Sequence, residues 1–151
     1  AGRGIMDLSG LKWPFIIAAV VGIGWLATSG GVNWMFGKFT AAAPGVDQQQ
    51  DLRDEAGLTK LAGYTFHLWK WRATIDIIET SHYRYGPWGP NYWYNLERLA
   101  TCYERIGQVQ TSYNILQELK AGRAWEHDSR VGNFDNLNLR SSKLREMYEL
   151  H

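Results

Sequence analysis

Residues 15–36 read FIIAAVVGIGWLATSGGVNWMF and contain no Asp, Glu, Lys, Arg or His. As one continuous helix the stretch would rise about 33 Å, against a hydrocarbon core of roughly 30 Å in a bilayer. Trp13 and Trp34 bracket it, and indole rings suit the membrane–water boundary. A secretory signal core and a buried helix of a globular core are the alternatives. Signal cores run about 7–15 apolar residues and end at a small-residue cleavage site. This stretch is longer, and Phe36 and Phe39 follow its second tryptophan. The sequence therefore predicts a single transmembrane helix near the N-terminus, with the lipid bilayer as the first partner.

That helix divides the chain into a tail (1–14), a span (15–36), a linker (37–46) and an extramembrane region (47–151). Within the span, small residues recur four apart, Ala18 with Gly22 and Gly24 with Thr28. Such spacing lets a second helix come close, since packing replaces the hydrophobic effect inside lipid. Arg3 and Lys12 precede the span, and Lys38 alone follows it closely. The positive-inside rule then places the N-terminus in the cytoplasm or its equivalent. The main region would face the periplasm, a lumen or an intermembrane space.

The formal charge is +1, without a basic cluster, so a nucleic-acid partner is not expected. The lone cysteine, Cys102, excludes an internal disulfide. Eight Trp and eight Tyr are more large rings than a region this small can fully bury. Some are expected at protein contacts, or against lipid or pigment at the periphery.

Beyond the linker the apolar spacing is helical. Asp47 is a candidate N-cap, and a helix is expected over 48–68. A second follows over 69–82, then a loop over 83–91 in which Gly86-Pro87 and Gly89-Pro90 break regular structure. Further helices are expected over 92–106, ended by Gly107, and over 109–121, ended by Gly122 in a left-handed conformation. A last helix is expected over 139–150.

The segments before and after the loop are related. Shifted by 38 residues, Leu58 falls on Leu96, Leu61 on Leu99, Ala62 on Ala100, Trp71 on Val109 and Thr74 on Ser112. Ile77 and Ile78 fall on Ile115 and Leu116. Large residues meet large and small meet small, as in a helical hairpin packed on its own copy. Leu96, Leu99, Ala100, Tyr103, Gly107, Val109, Ser112 and Leu116 have a spacing that resembles the tetratricopeptide repeat family. The first copy departs from it with Thr65 in place of an aromatic and Trp69 in place of the turn glycine. The period also exceeds that family's usual length of about 34. The resemblance implies an all-α array of helical hairpins, closed by the last helix as a cap, that binds other proteins.

No phosphate loop, dinucleotide fingerprint or nucleophile elbow is present. His67, His82, His127 and His151 lack zinc-ligand spacing. Cys102 reads as a small apolar helix residue, and Asp76 and Glu79 as ion-pair partners of Arg72. No catalytic, cofactor or metal residue is assigned. Tyr83, Tyr85, Trp88, Tyr92 and Trp93 are the candidate partner-binding residues, meeting either protein or lipid. The expected function is a non-catalytic accessory subunit of a membrane complex, by analogy a respiratory or photosynthetic one. A membrane-tethered chaperone or assembly factor is the alternative.

Overall fold

The computed structural model describes residues 14–25, 30–32 and 45–150. The chain separates into two compact units, Ala1–Lys38 and Phe39–His151.

The first unit corrects the transmembrane expectation. Residues 14–25 and 30–32 are helical. Among the described residues no helix is long and apolar enough to cross a membrane. Residues 14–25 would rise only about 18 Å. Gly22 and Gly24 within the stretch are weak helix formers, each Gly costing about 1 kcal/mol relative to Ala. Gln48–His67 has the length, but most of its side chains are polar. The single-pass fold class and the localisation built on it fall together. Ala18, Gly22 and Gly24 are exposed, and a Cβ on either glycine would meet nothing within 4 Å. Trp13, Thr28 and Trp34 lie outside the described residues, as does the linker up to residue 44.

Every regular element described in the second unit is helical. Its helices are α1 (Gln48–His67), α2 (Trp71–Tyr85), α3 (Tyr92–Arg105), α4 (Val109–Ala121), α5 (Ala124–His127) and α6 (Phe134–Tyr148), with a 3₁₀ turn at Gly86–Trp88. Asp47 caps α1, its carboxylate accepting from the Gln49 N–H at 2.9 Å. Short turns make α1–α2 and α3–α4 antiparallel hairpins. The helices pack in series: α1 on α2, α2 on α3, α3 on α4, and α4 on α6.

The 38-residue relation survives in the packing. Leu58, Leu61, Ala62, Thr74, Ile77 and Ile78 are buried, and so are Leu96, Leu99, Ala100, Ser112, Ile115 and Leu116. Tyr103, expected in the core, is only half-buried, and its hydroxyl donates to Glu79. Glu79 is thus tied to α3 by Tyr103. Small buried hydroxyls join each hairpin. Thr65 and Thr74 share a hydrogen bond of 2.7 Å, and Ser112 donates to the Ala100 carbonyl at 2.7 Å.

Both hairpin turns use one hydrogen-bond pattern. Leu68, Trp69 and Lys70 donate to Tyr64, Phe66 and Thr65, with Leu68 also reaching Thr65. Ile106, Gly107 and Gln108 donate to Cys102, Glu104 and Tyr103. The middle residue is left-handed in both, Trp69 at φ 58° and Gly107 at φ 85°. Glycine accepts that conformation freely, whereas a residue with a Cβ is strained there by about 1–2 kcal/mol.

Three boundaries differ from expectation. α2 continues through Tyr85 to Gly86, where φ 53° and the following Pro87 end it. α6 starts at Phe134, because Asn133 caps it by accepting from the Asn136 N–H at 2.9 Å. Gly122 is right-handed, and Arg123 takes the left-handed conformation instead. What requires glycine at 122 is Trp93, whose ring occupies the space a Cβ would need.

Candidate functional site

Polar side chains join the parallel helices α1 and α3. Asn91 donates to Glu55 at 3.0 Å, and four residues further along each helix Asn95 donates to Thr59 at 2.9 Å. Arg98 closes the row over the Phe66 ring, 4.9 Å from its centroid. Arg140 of α6 continues the series onto α3, reaching Glu97 and Thr101 at 3.2 Å each. Burial raises the Glu97 pKa, and Arg140 opposes that shift.

At the N-terminal end of α1 this polar surface opens into a cleft of about 280 Å³. Asp51, Leu52 and Glu55 form one wall, Arg84 and Tyr85 another, and Trp88 and Pro90 the rim. Behind the cleft Asp54 is only 1% exposed. Its Oδ2 accepts from Arg84 Nη1 at 3.0 Å and from the Tyr85 hydroxyl. Burial and then this hydrogen bond raise the Tyr85 pKa, so the phenol stays a neutral donor. Glu55 is 2% exposed, its oxygens held by Thr59 and Asn91. The backbone at Gly89 lies so close that a Cβ there would sit 3.2 Å from Glu55 Cγ. Asp51 Oδ2 accepts from the Gly45 N–H at 3.1 Å, while its Oδ1 is buried and has no partner. The cleft therefore presents carboxylate, with Arg84 as the cation in its wall.

The aromatic residues singled out in the sequence separate into two groups. Tyr83 and Trp88 are free at the surface, 92% and 89% exposed. Tyr85, Tyr92 and Trp93 are partly covered and serve the fold. Tyr92 packs on His82 with ring centroids 4.7 Å apart, and Trp93 stacks on His127 at 5.3 Å. His127 is thus engaged by a ring, while Asp128 pairs with Arg130 at 2.7 Å and Glu126 with Arg123 at 2.6 Å.

Among the described residues no group of three or more His, Cys, Asp or Glu is placed to hold a metal ion. Cys102 is fully buried, and burial pushes its thiol up to about 11. His82 is pushed down to about 4, mainly by burial. The arrangement has the means to bind: an acidic, partly aromatic depression with an exposed indole at its edge.

Sequence reasoning missed Asp51, Asp54, Glu55 and Arg84. A signal was present in the weak apolar pattern at the start of α1, where Leu52 is exposed and the buried positions are acidic. Searches of protein-family models, curated proteins and solved structures each found no match.

Proposed function

We propose that this chain is a non-catalytic interaction subunit, a tetratricopeptide-like helical array whose cleft receives a cationic or indole-bearing side chain of a protein partner. The supporting observation is the cleft itself, where Asp51 stands in the lining beside the exposed side chains of Leu52 and Trp88. The charge of Asp51 attracts a cation to the cleft. A cation over the Trp88 face gains further, and more so where water is excluded. The bilayer-spanning part of the sequence expectation does not enter this reading.

The test is a titration of the ¹⁵N-labelled full chain with acetyl-Lys-amide, acetyl-Arg-amide, acetyl-Trp-Lys-amide and acetyl-Glu-amide. The first three should shift the Trp88 indole N–H and the amides of Gly45 and Gly89, and the Glu compound should leave them in place. Silence at those three signals with every compound would remove the cleft as a binding site.

A further inference from the structure

We propose that the occupant of this cleft is the α1–α2 turn of a second copy, so that the chain assembles head to tail. The inference rests on the reading of the cleft given above and names its partner.

Trp69 is the starting point. It is 77% exposed and left-handed, at a turn whose counterpart 38 residues later is Gly107, with the same hydrogen-bond pattern. The turn needs no side chain there, and the second hairpin forms it without one. A strained backbone carrying an indole outward is spent on something outside the domain. Tryptophan is also the residue type most enriched among dominant interface contacts.

Charge selects the partner. Lys70 follows the indole directly in sequence, and Arg105 lies over the Trp71 ring at 5.8 Å, so cations gather at this end of the hairpin. The cleft at the opposite end has Asp51 in its lining beside Leu52, Pro90 and Trp88, with the buried Glu55 carboxylate beneath. The volume of about 280 Å³ suits one large side chain rather than an extended ligand. In the docked arrangement the indole enters between Leu52 and Trp88, and the Lys70 ammonium comes to lie near the Asp51 carboxylate. A chain cannot do this to itself. Asp51 and Trp69 stand at opposite ends of α1, about 24 Å apart along its axis. Contact between unlike surfaces is heterologous, so assembly continues into a ring or an open filament rather than stopping at a symmetric dimer.

Sedimentation velocity of the full chain tests this across a wide concentration range at low and high salt. Growth beyond a dimer is expected, weakened by salt because the charges at the rim are screened. Trp69→Gly keeps the turn geometry and loses the inserted group. Trp88→Ala changes an exposed rim residue and loses the receiving surface. Each variant should associate about thirtyfold or more weakly, the effect of removing one dominant tryptophan. Mixed together they should form a one-to-one heterodimer and nothing larger, since each retains the half that the other lacks. A parent chain monomeric throughout, association untouched by Trp69→Gly, or a mixture that stays monomeric would each overturn the inference. If acetyl-Trp-Lys-amide still occupies the cleft in that case, the proposed function stands and only the second copy is wrong. If neither binds, both fail.

Discussion

The two hairpins make an internal experiment. α1–α2 and α3–α4 share a register of 38 residues, equivalent buried positions and one turn geometry. They differ in what surrounds that frame. The second hairpin is regular, with glycine where the backbone turns left-handed and Lys120 reaching Ser141 at 3.0 Å where the first has His82. The first hairpin carries the departures: a strained exposed Trp69, a half-buried His82, and buried Asp54 and Glu55 at its N-terminal end. Departures from local rules concentrate where a protein does something besides fold. The frame therefore belongs to stability, and the differences in α1–α2 point to function.

Substitution at equivalent core positions asks whether the frame is energetically shared. Ile78→Ala and Leu116→Ala remove fully buried side chains and should each cost about 3 kcal/mol in denaturant unfolding. Costs that differ by more than about 1.5 kcal/mol would show that only one hairpin sustains the core.

Acid should act on the first hairpin. The His82 pKa is lowered from 6.5 to about 4, chiefly by burial, with a hydrogen bond to the Tyr92 backbone partly offsetting it. Between those values the unfolded chain binds the proton and the folded chain does not. Stability therefore falls as pH drops from about 6.5 towards about 4, by roughly 3 kcal/mol. His82→Phe should flatten that slope in denaturant melts across this window, and a slope unchanged by the substitution would acquit the imidazole.

The turns should answer with opposite signs. Gly107→Ala forces a Cβ into a left-handed backbone and should cost about 1 kcal/mol. Trp69→Gly relieves the same strain and should raise the melting temperature by a few degrees, about 1 kcal/mol. A loss of stability in Trp69→Gly would mean that the indole serves its own fold.

The smallest effect concerns the hydroxyl joints. Ser112→Ala leaves the Ala100 carbonyl without its side-chain donor, and Thr74→Ala leaves Thr65 its bonds to Leu61 and Ala62. Each should cost about 1 kcal/mol or less, with Thr74→Ala the milder apart from its lost methyl.

Much of the second unit was legible from local spacing. The apolar period and Gly107 located α3 and α4 closely, and Asp47 marked the start of α1. Gly122 was seen as a helix stop, yet its reason is steric room for Trp93, a residue on another helix. The uncharged length of residues 15–36 and the tryptophans that bracket it suggest one spanning helix, yet among the described residues no helix is long and apolar enough to cross a membrane. Hydropathy does not register the cost of glycines such as Gly22 and Gly24. Tyr85, Tyr92 and Trp93 looked like surface aromatics because composition cannot say which rings find partners.

The sequence by itself determined that residues 47–150 form helices in two related hairpins, because apolar spacing and turn glycines act over a few neighbours. Only the tertiary structure decided that Asp54 meets Arg84 and Tyr85, that Glu55 meets Asn91, and that Trp69 is left largely exposed. Those partners lie about thirty or more residues apart, and burial of a carboxylate depends on which helix comes to lie over it.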